Sequence, residues 1–259
     1  MANVLINMPS EFTVAIEEAY RVFSAYRLGH DLIVCHCRSC MTEEAKRQLV
    51  NTPLRSIPAD LLAEYTNSAH EYDHDQVSRE LRYFLPRYFD LIAAHDYPDR
   101  GGLNICLRRL GEAGYRKKWP RAEVESIDRF FDAFLKDSLS RLDLQLWPVG
   151  YRLAFDIKNV VTLVVTAGGD IDRLLQTWAG AEDPAAAIHM AALREDVLEE
   201  RHKTYLHSTY LERHEDAAKR VGAWLLQPNL TARIEAAFFG VSDPRLQVIL
   251  SNGMRMAQS

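Results

Sequence analysis

Apolar residues recur at three- and four-residue steps through most of the chain, the spacing that aligns side chains on one face of a helix. Phe12, Ile16, Ala19, Tyr20, Phe23 and Tyr26 form the first such stripe and predict a helix from about Phe12 to Leu28. Thr42 is placed as an N-cap, with Glu43 and Glu44 favourable against the dipole of the helix that follows. Pro58 opens a helix carrying Leu61, Leu62, Tyr65 and Ala69. Val77, Leu81, Phe84, Leu85, Tyr88, Phe89 and Ile92 make a broader stripe, with Pro86 inside it and a kink expected near Arg82 to Leu85. A short helix is expected over Leu103 to Leu110, then irregular chain to Trp119. Pro120 begins the longest pattern, from Val124 through Phe130, Phe131 and Phe134 to Leu142.

The second half is less uniform. Asn159 to Thr166 is rich in β-branched residues, which favours a strand by propensity. Gly168-Gly169 followed by Asp170, however, has the form of a helix stop and a new cap, so a helix is predicted there. Asp183-Pro184 and Asp243-Pro244 are matching helix starts. Between them a long helix through Leu211 is expected, then two shorter ones carrying Val221, Trp224 and Leu225, and Ile234 and Phe238. The pattern as a whole predicts an all-α protein, either a helical bundle or an irregular α-solenoid of paired helices. No fixed-period repeat is detectable. Residues 1–259 are expected to form a single helical domain, with a weak division near 147–150 at Trp147-Pro148-Val149-Gly150.

Composition sharpens this in a few places. Hydrophobic residues are 47% and charged residues 26% of the 259, within the globular range, so a disordered chain is excluded. The net charge of −5 is spread along the chain, and the densest basic run, Arg116-Lys117-Lys118, is short. Attraction to nucleic acid or an anionic membrane surface is therefore not expected. The N-terminal residues lack a signal-peptide pattern, and the longest apolar run, Val160 to Ala167, is too short to span a bilayer. Four cysteines, three of them within six residues, do not resemble a secreted disulfide framework, so a cytoplasmic location is expected.

Two segments carry candidate chemistry. Cys35-His36-Cys37-Arg38-Ser39-Cys40 is the densest ligand cluster, with His30 upstream and Cys106 far downstream. Thiolates at this spacing can fill two or three corners of a zinc tetrahedron, with His30, His36 or Cys106 as the fourth ligand. The bland alternative is a set of reduced thiols, some packed as small hydrophobes. His70-Glu71-Tyr72-Asp73-His74 matches the H-E-x-x-H zinc-hydrolase string, in which Glu71 would polarise a zinc-bound water. Against that reading, Asp73 and Gln76 form a capping box that starts a new helix between the two histidines. Glu80 also stands where a third histidine ligand would be wanted. Tyr83-Phe84-Leu85-Pro86-Arg87 would present Arg87 at the kink.

Several stretches resemble a poorly characterised family of bacterial all-α proteins. They are the cysteine-rich segment Cys35 to Cys40, Pro53-Leu54-Arg55, the Phe84-Leu85-Pro86-Arg87 helix, Trp224-Leu225-Leu226-Gln227-Pro228 and the C-terminal helix Glu235-Ala236-Ala237-Phe238-Phe239. The resemblance implies a single cytoplasmic helical unit and brings no reaction or catalytic residue with it.

The leading expectation is a non-enzymatic partner-binding protein with no cofactor. Its concrete form is an immunity- or antitoxin-type inhibitor whose partner is another protein, a toxin domain. Such inhibitors need complementary shape and charge rather than chemistry. The alternatives are a zinc hydrolase built on His70, Glu71 and His74, and a zinc-stabilised or thiol-sensing protein built on Cys35, Cys37, Cys40 and His30.

Overall fold

A computed structural model describes residues 10–29, 31–35, 37, 40–69, 74–148, 150–200 and 203–255, with only the backbone of His74. It is a mostly all-α fold. The chain divides into two compact units, Met1–Phe134 and Leu135–Ser259.

In the first unit, α1 (Glu11–Val22) starts where the Ser10 hydroxyl accepts the Thr13 N–H at 3.1 Å, an N-cap that satisfies one of the orphan donors of a helix start. It ends at Phe23, earlier than the apolar stripe suggests. Thr42 caps α2 (Glu43–Asn51) in the same way. α3 (Ala59–Asn67) follows Pro58, and α4 (His74–Ala93) continues through Pro86. The chain then makes α5 (Arg108–Ala113), α6 (Tyr115–Lys118) and α7 (Arg121–Leu139), whose residues from Leu135 onward belong to the second unit. The segment expected to be irregular, 111–119, is thus largely helical. Gly114, at φ 63°, ends α5 in a left-handed turn that glycine adopts without a Cβ penalty.

The core of this unit is aromatic. Phe89 of α4 stacks on Phe130 of α7 with centroids 3.7 Å apart, and Phe12 of α1 lies 5.5 Å from Phe134. Phe84, Leu85, Tyr88, Phe89 and Ile92 are all fully buried, as the broad stripe on α4 predicts.

The second unit contains two β-hairpins among its helices. β1 (Leu144–Trp147) pairs antiparallel with β2 (Gly150–Leu153), with Trp147 opposite Gly150. Trp147 and Gly150 are therefore the last pair of a hairpin inside this unit. α8 (Lys158–Thr166) is helical as predicted, and every residue from Val160 to Thr166 is buried. A helix enclosed on all sides needs no polar face, which explains why its β-branched sequence lacks a helical stripe.

α9 (Ile171–Ala179) begins at the Asp170 cap, and α10 (Pro184–Arg194) at Asp183-Pro184. The long helix expected through Leu211 does not form. α10 ends at Arg194, and β3 (Val197–Glu200) turns back on β4 (Lys203–Leu206). Val197 and Leu206, directly opposite each other, are buried, whereas Leu198 points outward. Only one buried residue falls on each strand, too short a signal for the helical reading to yield to.

α11 (Glu215–Leu225), α12 (Pro228–Gly240) and α13 (Pro244–Arg255) complete the unit. α13 lies so close to α10 that a Cβ on Gly253 would fall 2.5 Å from the Ala191 Cα. Backbone cannot yield as a side-chain tip can, so Gly253→Ala must push the two helices apart. We expect a loss of about 1–3 kcal/mol, the usual cost of overpacking, read as a lower denaturation midpoint in urea. An unchanged midpoint would refute the close approach.

Candidate metal centre

The cysteine segment is held at both ends by buried apolar anchors, Leu32 and Val34 before it and Met41 after it. Its backbone is then tied to the end of α3. The Cys35 N–H donates to the Ala69 carbonyl at 2.6 Å, and the Met41 N–H donates to the Ser68 hydroxyl at 3.0 Å. Ser68 in turn donates to the Glu64 carbonyl. Upstream, the Ile33 N–H donates to the Glu80 carboxylate at 3.0 Å, and Tyr65 donates its hydroxyl to the other Glu80 oxygen at 3.0 Å.

Glu80 is buried, and desolvation raises its pKa despite the donors from Ile33, Tyr65 and Gln76. The residue that stood at the third-ligand position of the H-E-x-x-H reading is thus a packing bridge between the cysteine approach, α3 and α4. Arg87 is also engaged structurally, donating to the Ile57 carbonyl at 2.7 Å.

The C-terminus of α3 on which the segment hangs would leave carbonyls without partners in a buried setting. Arg109 supplies them. Its Nη2 donates to the carbonyls of Thr66 and Ser68, each at 2.6 Å, and its Nε to Thr66 at 3.1 Å. A guanidinium at this end also opposes the negative pole of the helix. Arg109 is itself buried, and desolvation lowers its pKa. Nothing in the local sequence singles out Arg109, because its role exists only once α5 is folded beside the end of α3.

Cys35, Cys37 and Cys40 come together so that their sulfurs all lie within 4.8 Å of one another. All three are free thiols; Cys37 is exposed, and Cys35 and Cys40 are half-buried. The Cys37 and Cys40 sulfurs are 3.3 Å apart. Around a tetrahedral ion with bonds of about 2.3 Å, sulfurs stand roughly 3.8 Å apart. The cluster therefore needs only side-chain adjustment to close on a metal. The Cys37 N–H, pointing at the Cys35 sulfur at 3.3 Å, favours its thiolate. The neighbouring Cys37 and Cys40 thiols and desolvation act the other way, and the net effect raises the Cys35 pKa.

Cys106 is not part of the group. It is buried and donates to the Leu103 carbonyl, and desolvation raises its pKa strongly. Of the other candidate ligands, His30, His36, His70 and Glu71 lie outside the described residues, as does the side chain of His74. α3 stops at Asn67 and α4 starts at His74, so a helix begins at the second histidine of the string.

No helix among the described residues is long and apolar enough to cross a membrane. No family model matches the chain, and comparison with curated proteins and with solved structures finds no match.

The dependence of the cysteine segment on Arg109 is open to test. Arg109→Met keeps the apolar stem but leaves the α3 carbonyls without donors. We expect a loss of about 2–4 kcal/mol in chemical denaturation, together with faster hydrogen exchange at the Cys35 and Met41 amides. Exchange unchanged at those two amides would separate the cap from the cysteine segment.

Proposed function

We propose that the protein binds a thiophilic metal ion, zinc foremost, on Cys35, Cys37 and Cys40, and that the ion stabilises or switches a helical protein rather than driving a reaction. The observation that carries this reading is the convergence of the three sulfurs within 4.8 Å. Thiolates are soft ligands suited to zinc and copper(I), and three of them supply most of a structural site. When bound, the ion would cross-link the segment tied to Ala69 and Ser68. Its binding energy would then add to the stability of the first unit, as for other metal-linked folds.

Chelator-free purification followed by elemental analysis should find about one metal ion per chain. Cys37→Ser should lose it, with a lower melting temperature that added zinc no longer raises. Protein free of metal that also fails to take up zinc or copper(I) would rule the reading out.

The pH dependence has a defined sign. A thiol whose pKa is raised in the metal-free fold holds its proton more tightly, and that proton must leave before the ion binds. Zinc affinity in a competition titration should therefore fall as pH falls through the range below the Cys35 pKa. The expected loss is at least about tenfold per pH unit, for one proton released per ion. A flat profile from pH 8 to about 6 would mean that no thiol deprotonates on binding.

A second reading, the partner-binding inhibitor, is favoured by a different observation. Leu146 on β1 and Phe239 on α12 are each 77% exposed, the highest values among the large apolar side chains described. Exposed apolar residues of this kind are common at protein interfaces. In this reading the partner is a protein, a toxin domain in the immunity case. Co-expression with the product of the neighbouring gene, scored for a complex and for rescue from toxicity, tests it. The doubly substituted Leu146→Ser/Phe239→Ser chain should lose the complex while keeping its fold.

A further inference from the structure

A cavity of about 300 Å³ opens in the second unit between the β1–β2 hairpin, the start of α8 and the end of α10. That volume sits at the small end of the range for ligand pockets, about 300–1,000 Å³. It shares no residue with the cysteine site.

Its charges sort into two sets. Lys158 is already engaged: its ammonium lies 2.7 Å from Asp196 and 3.9 Å from Asp156. Arg152 and Glu195 are in no ion pair among the described residues, although the Arg152 charge does act on Asp156, whose pKa burial raises and Lys158 and Arg152 lower. The Arg152 guanidinium lies over the Trp147 ring at 4.2 Å and, among the described residues, makes no ion pair. Glu195 accepts only an amide hydrogen from Asn252, at 3.2 Å, and meets no cation among those residues. The two belong to different elements, Arg152 to β2 and Glu195 to the end of α10.

His189 also lines the cavity and is fully buried, and neither ring nitrogen makes a well-formed hydrogen bond. Burial pushes its pKa down to about 4, against a smaller opposing effect of the Arg141 backbone. At neutral pH it is an uncharged imidazole with one donor and one acceptor. An unsatisfied polar side chain beside a cavity is uncommon enough to call for a partner.

We propose that this cavity binds a small zwitterion of the amino-acid class. The ligand's carboxylate would meet Arg152, its ammonium would meet Glu195, and its side chain would lie against Trp147 and Ile249. A guanidinium and a carboxylate that share one pocket and make no ion pair among the described residues match a ligand that carries both charges. A simple anion would meet the carboxylates Asp156, Glu195 and Asp196, and a simple cation would leave Arg152 unanswered. Guanidinium–carboxylate pairs are among the stronger polar contacts because two parallel hydrogen bonds can form.

The probes are the free L-amino acids, each compared with its matched amine and matched carboxylic acid, titrated calorimetrically into the full chain. At least one amino acid should bind saturably, and its two single-charge analogues should bind about ten- to a hundredfold more weakly. Arg152→Gln and Glu195→Gln alter exposed side chains, so their circular dichroism should match the parent, and each should weaken binding by a similar factor. No saturable binding by any amino acid up to about 10 mM would overturn the proposal. Equal binding of a single-charge analogue, or binding unaffected by both substitutions, would overturn it equally.

Discussion

Helices end in carbonyls that have no partner within the helix, and in this protein the ends of α3 and α11 are answered by side chains from elsewhere in the chain. Each is closed by a buried arginine from a different helix. In the first unit Arg109 answers the end of α3. In the second, Arg194, fully buried, donates to the Leu225 carbonyl at the end of α11 through both Nε, at 2.9 Å, and Nη2, at 2.6 Å. It also donates to the Thr231 hydroxyl and the Gly253 carbonyl. A guanidinium can do this because its planar fork presents five donors and it stays charged under nearly all conditions. Lysine's three donors all leave one nitrogen, so it lacks the spread by which the arginine fork reaches acceptors on separate segments.

The two caps have different consequences. Arg194 joins α10 to α11, α12 and α13, and so fixes how the C-terminal helices meet. Arg109 fixes the stretch from Thr66 to Ser68, and Ser68 and Ala69 in turn hold the backbone on either side of the cysteine cluster. The position of the three thiols therefore depends on an arginine about seventy residues away in the chain. A metal bound by those thiols would tighten the same network from the opposite side.

The surface of the second unit follows from its hairpins. The hairpin formed by β1 and β2 places Trp147 and Tyr151 outward and leaves the guanidinium of Arg152 lying on an indole rather than on a carboxylate. A cation held over an aromatic face keeps its charge available to a ligand while losing some freedom. The same hairpin carries Leu146, one of the two most exposed large apolar side chains among the described residues. The residues proposed for metal, small-ligand and partner binding thus form separate groups, so each proposal can be tested by substitutions that leave the other groups unchanged.

The sequence by itself determined the helical class, the caps at Thr42, Asp170 and Asp183, and the burial of the Phe84 to Ile92 stripe. These depend on residues within one or two turns of each other, where spacing along the chain is also spacing in space. It also drew attention to Cys35, Cys37 and Cys40, because ligands that lie within six residues have little freedom to separate. It did not determine the two hairpins, since four-residue strands carry too few alternations to stand out beside helical stripes. Nor did it disclose Arg109, Arg194 or the unanswered charges of Arg152 and Glu195. Whether an arginine closes a helix, pairs with an acid or stays open to a ligand depends on which distant carbonyls and carboxylates folding brings within 3 Å or so, and only tertiary structure decides that.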